Sequence, residues 1–278
     1  GKATINRRLA DYSSSPRLVF PSGKGGHNWN PMAWDARRGT VYIPAVEVGE
    51  YLYAPPGPMT YRAHARNMGN TSVFSGVPDA VVAQLPAPLR DAIQSGRLRK
   101  GQPDTRMRAL LRAWDPIAGR TRWEIESPGG AWDRAGVLST DGGLVFQGTG
   151  TGHLRVYDAD NGSLLKDIDI GTAIIAAPMT YTVNGEQVVA VMAGWGGAGW
   201  YNQQPGNIAS VNANEGRIVA FKLGGGATPK PAPLPPLLPL PEPPPMDTDA
   251  ATLQRGAELH AAYCAGCHAD SERTGSAD

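Results

Sequence analysis

Two thiols and an imidazole stand within five residues near the end of the chain, Cys264-Ala265-Gly266-Cys267-His268. On a helix this spacing sets the thiols about one turn apart, where they can add to the two vinyl groups of a haem while the adjacent imidazole ligates the iron. Cys-x-x-Cys-His is a specific signal for covalently held haem c. A redox dithiol would normally follow a strand in a βαβ unit, and a zinc site would need two further ligands nearby. Cys264 and Cys267 are therefore read as haem c attachments and His268 as an axial ligand of the haem iron. Methionine is the usual sixth ligand, yet all seven methionines precede the cysteine pair. The distal ligand is expected to lie outside this chain, and His260 is read as a surface residue.

A helix must present this motif. Asp249 or Thr248 can cap one that runs through Leu253, Gly256, Leu259 and Tyr263 into Cys264. Upstream, ten of the seventeen residues from Pro229 to Pro245 are proline. Proline lacks the amide donor and locks φ, so the segment reads as a stiff linker, which at about 3.1 Å per residue could span roughly 50 Å. Charge changes across it: residues 1–230 carry 24 basic and 18 acidic side chains, residues 231–278 carry 2 and 7. Weak electrostatic docking of the two parts and a plain solvated acidic tail both fit that shift. The expected organisation is a β-rich domain over 1–226, a linker over 227–247 and a truncated cytochrome c domain over 248–278.

Within the first part a short pattern recurs, an aromatic residue before Asp and a Gly four positions after the Asp. It reads Trp34-Asp35 with Gly39, Trp114-Asp115 with Gly119, and Tyr157-Asp158 with Gly162, each beside strand-like residues. In such a turn the Asp can accept backbone amides and the Gly takes the positive φ that closes it. The first two copies are 80 residues apart and the last two 43, a period suited to β-propeller blades. Asn184-Gly185 between strand formers predicts a tight β-hairpin. Residues 77–95 read instead as short helical pieces broken by Pro86 and Pro88, so about 50–107 is taken as a loop-and-helix insertion. Residues 1–230 hold material for only about five blades, fewer if the insertion is set aside, and a propeller must close; the chain is expected to be the C-terminal part of a longer one.

Composition narrows the function. Glycine and proline make 60 of 278 residues, which favours turns over long helices, and 26 Lys+Arg stand against 25 Asp+Glu. A net charge of +1 argues against nucleic acid as a partner. No apolar run has the eighteen or so residues of a membrane span. The chain opens on Gly1 with no visible secretory signal, which was either removed or lies upstream. Haem c is attached outside the cytoplasm, so the expected location is periplasmic.

These features together resemble the quinohaemoprotein alcohol dehydrogenases, which carry pyrroloquinoline quinone and a cytochrome c domain on one chain. The resemblance rests on Gly25-Gly26-His27-Asn28-Trp29-Asn30-Pro31-Met32 followed by Val41-Tyr42-Ile43-Pro44-Ala45, and on Ala113-Trp114-Asp115-Pro116 with Trp123. Leu138-Ser139-Thr140 with Leu144-Val145-Phe146-Gln147-Gly148-Thr149, Ala176 to Tyr181, and Ala193-Gly194-Trp195-Gly196-Gly197 extend it in the same order. It implies an all-β, eight-bladed propeller with the quinone near its axis, followed by the linker and the start of an all-α cytochrome. By resemblance Asn28 and Trp29 approach the quinone edge, Trp132 lines it, and the loop ending at Gly197-Ala198 brings its backbone close. A planar anionic cofactor needs such aromatic walls and fixed donors. Trp34, Trp114 and Trp123 are read as staples between blades.

The resemblance further implies oxidation of a small alcohol, a Ca²⁺ ion beside the quinone, a catalytic Asp, and electrons leaving through the haem to an acceptor such as a cytochrome or copper protein. The catalytic Asp and most Ca²⁺ ligands belong to the earlier part of such a propeller, so no catalytic residue is assigned here and the fragment alone is expected to be inactive. After Trp132 this chain departs from the family, with Asp133-Arg134-Ala135 in place of the usual Asn-Gly-Gly. A reading from another class also stands: a propeller scaffold with a tethered cytochrome, carrying electrons without oxidising a substrate.

Overall fold

The computed structural model describes residues 11–61, 67–102, 106–130, 133–194, 196, 208, 211–234, 242 and 249–264. They form strands β1 (Arg17–Val19), β2 (Ala33–Asp35), β3 (Thr40–Glu47), β4 (Glu50–Tyr53) and β5 (Thr71–Phe74), and short helices α1 (Asp79–Ala83) and α2 (Ala87–Gln94). Strands β6 (Arg108–Asp115), β7 (Arg120–Glu126), β8 (Val137–Ser139), β9 (Leu144–Gly148), β10 (His153–Asp158) and β11 (Leu164–Asp169) follow. The last elements are β12 (Met179–Val183), β13 (Glu186–Ala193), β14 (Arg217–Phe221) and helix α3 (Ala250–Leu259). The chain divides into two compact units, one of residues 1–54 and 72–234, the other of residues 55–71 and 235–278.

In the first unit the strands make successive antiparallel meanders. One four-stranded sheet has the order β2-β3-β6-β7, a second β8-β9-β10-β11, and a third, three-stranded, β12-β13-β14. The recurring Asp turns close hairpins as their spacing predicts. Asp35 Oδ1 accepts the amides of Arg37 and Arg38 at 3.0 Å each, and Asp115 Oδ1 those of Ile117 and Ala118 at 3.0 and 2.9 Å. Asp158 Oδ1 accepts those of Asp160 and Asn161 at 2.8 and 3.1 Å. Gly39, Gly119 and Gly162 take φ of 59°, 64° and 75°, a region costly for a residue with a Cβ. Asn184-Gly185, at φ 51° and 81°, joins β12 to β13.

Sheet faces make the core. Tyr42, Leu111 and Ala113 of the first sheet pack on Val137, Val145, Tyr157 and Ala159 of the second. From the other face of β10, Leu154 packs with Ile170 and Ile174 of the connection from β11 to β12 and with Val191, Ala193 and Val219 of the third sheet. Strands β9 and β10 of the middle sheet thus bury side chains on both faces, the arrangement of neighbouring propeller blades. Each fully buried Val or Leu contributes about 1.5–3 kcal/mol. Trp123 staples the first two sheets: its indole N–H and the Tyr42 hydroxyl both donate to the Ala159 carbonyl at 3.0 Å. Trp34, expected to act likewise, is 55% exposed.

Two expectations are corrected. The insertion between β3 and β6 contains strands as well as helices: β4 pairs with β1 and belongs to a small β1-β4-β5 sheet. Its core of Leu18, Tyr51, Val82, Leu89 and Ile93 is its own. Residues of the insertion therefore do not supply a blade, and with it set aside the described part of 1–230 holds three successive sheets of the meander, fewer than five. The first prolines of the expected linker also pack on the first unit. The Ala213 amide donates to Ala232 O at 2.8 Å and the Leu234 amide to Val211 O at 3.0 Å, while Lys230 pairs with Asp169. In the second unit α3 starts at Asp249, whose Oδ1 accepts the Thr252 amide at 2.8 Å, and a π-helical turn (His260–Cys264) extends it to the first cysteine.

Candidate functional site

An antiparallel meander alternates its connections between two ends. The hairpins β2–β3, β6–β7, β8–β9, β10–β11 and β12–β13 lie at one end, with the Asp turns. At the other end lie the lead-ins to β2, β8 and β12 and the connections β3–β6, β9–β10 and β13–β14. Of the quinone-site residues expected from the sequence, Asn28 and Trp29 are described, and they fall at this second, loop end. Asn28 and Trp29 precede β2. Trp132 precedes β8 and Ala198 follows β13, but both lie outside the described residues, as do Cys267 and His268.

The segment bearing Asn28 and Trp29 is held along β3. The Ser22 amide donates to Val48 O at 2.9 Å, the Val46 amide to Gly26 O at 2.8 Å, and His27 Nδ1 lies 3.0 Å from Pro44 O. Gly25, at φ 75°, turns the chain where a Cβ would meet His27 O at 2.9 Å. Asn28 Nδ2 donates to Lys24 O at 3.3 Å. Trp29 is 57% exposed, so its indole face is open to a ligand. The next residue reverses this: Asn30 is 1% exposed.

Asn30 begins a buried polar network that sequence reading missed. Its Nδ2 donates to the Arg134 carbonyl at 2.5 Å, while its Oδ1 has no partner among the described residues. Gln147 Nε2, on β9, donates to the Ala135 carbonyl at 3.1 Å. Asp133 accepts the Gly129 amide on Oδ2 at 2.9 Å and the Gly150 amide on Oδ1. Burial pushes the Asp133 carboxyl above the usual range, against the two amides that favour its ionised form. Asp133, Arg134 and Gln147 are at most 7% exposed. The signal that could have located them is a polar residue in an apolar run, as with Gln147 in Leu144-Val145-Phe146-Gln147.

Backbone bonds join the lead-ins directly. The Val137 amide donates to Pro31 O at 3.0 Å, the Gly136 amide to Ile175 O at 3.1 Å and the Ile174 amide to Thr149 O at 3.0 Å. A Cβ at Gly136 would stand 2.7 Å from that of Ala177, so the lead-ins to β8 and β12 meet only because Gly136 has none. An exposed indole and a carboxamide on one segment, beside a buried carboxamide oxygen without a partner, fit a planar polar cofactor at this end. Cys264, in the second unit, is a free, exposed thiol at the end of its helix, an accessible position for covalent attachment.

Comparison with known proteins gives the family. The family described as "PQQ: Glucose/ethanol/alcohol dehydrogenase, beta-propeller domain" matches residues 3–189. Quinohemoprotein alcohol dehydrogenase ADH IIB of Pseudomonas putida is 34% identical over 261 residues, covering 92% of this chain and 33% of that protein. The dehydrogenase subunit of the quinone alcohol dehydrogenase of Acetobacter aceti is 35% identical over 258 residues, covering 91% and 31%. Among solved structures, quinohemoprotein alcohol dehydrogenase ADHIIG of Pseudomonas putida HK5 superposes with a TM-score of 0.65 at 29% identity, covering 95% of this chain and 36% of that one. The chain spans about a third of the length of the curated relatives it matches. With its meandering blades and a family match over residues 3–189, the chain belongs to the glucose/ethanol/alcohol dehydrogenase β-propeller family, whose cofactor is pyrroloquinoline quinone.

Proposed function

We propose that this chain is part of a periplasmic, quinone-dependent alcohol dehydrogenase that passes electrons from pyrroloquinoline quinone to a covalent haem c. The observation that carries the proposal is the pair Asn28 and Trp29, presented at the loop end beside the buried Asn30, in a chain that also carries Cys264-Ala265-Gly266-Cys267-His268. In the parent protein the sheets described here are the last part of an eight-bladed propeller, joined by the Pro-rich segment to a cytochrome.

In this reading the quinone, when bound, accepts hydride from a small alcohol and the haem carries single electrons onward to a cytochrome or copper protein. The chain's own residues hold and orient these groups. Trp29 covers the quinone's apolar surface, and the Asn28 carboxamide hydrogen-bonds its polar edge. Trp132 and the backbone at Ala198 complete the cradle. Cys264 and Cys267 tether the haem and His268 ligates its iron. The catalytic base and most ligands of the Ca²⁺ ion are assigned to the preceding part of the parent chain.

The test is the absorption spectrum of the full-length parent, made where haem c is attached and reconstituted with quinone and Ca²⁺, before and after short alcohols are added. Reduction of the haem bands by an alcohol is expected. Haem that stays oxidised with every alcohol, together with no retained quinone, would overturn the reading in favour of a scaffold with a tethered electron carrier.

A further inference from the structure

The buried network at the loop end is not accounted for by the cofactor contacts above. Its centre, Asp133, is 2% exposed and has an amide on each carboxylate oxygen. Those amides come from different places: Gly129 precedes Trp132 by three residues, and Gly150 lies in the β9–β10 turn. A Cβ at Gly129 would come within 2.6 Å of Asp133 Oδ2, so the carboxylate reaches its position only because Gly129 lacks a side chain. The next peptide along carries the contact onward, since the Arg134 carbonyl accepts from Asn30. The lead-in to β8 is thereby bonded to two other segments of the loop end, the β9–β10 turn through the carboxylate and the lead-in to β2 through the Arg134 carbonyl.

Burying a carboxylate is costly, and a neutral side chain of similar size could fill the same space at less expense. What a carboxamide cannot do is accept one amide on each of two oxygens. A carboxamide has a single acceptor oxygen, and its NH₂ would face the second amide donor to donor.

Resting on the reading of the loop end as a quinone site, we propose that Asp133 is a positioning residue of that site. Its carboxylate clamps Gly129 and Gly150, and with the Asn30–Arg134 bond it keeps the segment of Asn28 and Trp29 in register with the lead-in to β8 and the β9–β10 turn. It touches neither quinone nor substrate; it sets how far apart the groups that do so stand. A cofactor gripped between separate segments loses affinity when one of them can drift, because the ordering cost then falls on binding.

The experiment uses the full-length parent with haem attached and quinone removed. Wild type, D133A, D133N and G129A are titrated with pyrroloquinoline quinone, reading tryptophan fluorescence, and hydrogen exchange of the Gly129 and Gly150 amides is followed before quinone is added. D160N, in a hairpin at the opposite end, is the control. D133A is expected to raise the quinone Kd by about tenfold or more, D133N and G129A by less, with faster exchange at both amides; D160N changes neither. Faster exchange with a wild-type Kd would reduce Asp133 to a structural part and sink the proposal, as would wild-type behaviour in both readouts. Should D133A fail to fold, D133N and G129A decide by the same criteria. Wild type that binds no quinone would bring down the reading of the site itself, and this proposal with it.

Discussion

The two ends of the sheets use the same bond, carboxylate to backbone amide, for different purposes. At the hairpin end Asp35, Asp115 and Asp158 accept amides two and three residues ahead. There the Ala118 amide and Arg122 hold the Asp115 carboxyl below its ordinary range, and Arg38 does the same to Asp160. At the loop end Asp133 accepts from Gly129 and Gly150, and burial shifts it the other way. At the hairpins a guanidinium stands beside the buried carboxylate, Arg38 at 3.1 Å from Asp35 and Arg122 at 2.8 Å from Asp115; inside the loop end the amide bonds must offset desolvation without such a partner in contact among the described residues. The hairpin end is built for local stability, whereas the loop end spends stability on holding separate segments at fixed distances.

Substitution at Gly136 is expected to have the largest effect. In G136A the new Cβ meets Ala177 at 2.7 Å from its Cβ and 2.9 Å from its Cα and N, so backbone must move. About 3 kcal/mol of stability is expected to be lost, seen as a lower urea midpoint, with weaker quinone binding. An unchanged quinone Kd in that variant would break the assignment of the loop end to the cofactor. D35A removes two amide bonds and the 3.1 Å pair with Arg38. It is expected to cost about 2 kcal/mol in the same urea experiment and to leave the quinone Kd alone, the converse of D133A.

The smallest effect is in pH dependence, where the two ends oppose each other. Asp115 and Asp160 have folded-state values below their unfolded ones. Their contribution is present above about pH 4 and is lost as pH falls through the folded values. Asp133 has a raised value, so its contribution is complete below about pH 4 and is lost as pH rises through the folded value. Melting temperatures of wild type and D133N between pH 4 and 7 check the sign: wild type should lose ground to the variant as pH rises. The reverse trend would mean that the two amides outweigh burial.

Legibility in the sequence follows the same division. The Asp turns and the Asn184-Gly185 hairpin could be read because each is decided within about five residues, by an acceptor and a backbone able to take positive φ. Trp29 and Asn28 stood out through a resemblance, and Cys264 through the chemistry of its spacing. Asp133 was visible only as a departure from a pattern, since its partner Gly150 is 17 residues away, and Asn30 reaches Arg134 across 104. Strands β4 and β5 were missed for a related reason: Glu50 to Tyr53 forms a strand because β1 offers it an edge more than thirty residues earlier in the chain, and local propensity carries no trace of that edge.

The root of the insertion shapes how this protein can change over evolutionary time. Its 60 residues leave β3 after Glu47 and return at Arg108, positions paired directly across the ladder. Arg108 and Arg112 both bond the Glu47 carboxylate, and although burial alone would raise that carboxyl, the two guanidiniums outweigh it and hold it below its ordinary range. The closure of the loop is therefore already secured by the blade, and doubling its length would add only about 0.6 kcal/mol of chain entropy. Residues can be gained, lost or exchanged there while the β3–β6 ladder beneath keeps its register, which makes the insertion a place where lineages can diverge without renegotiating the scaffold.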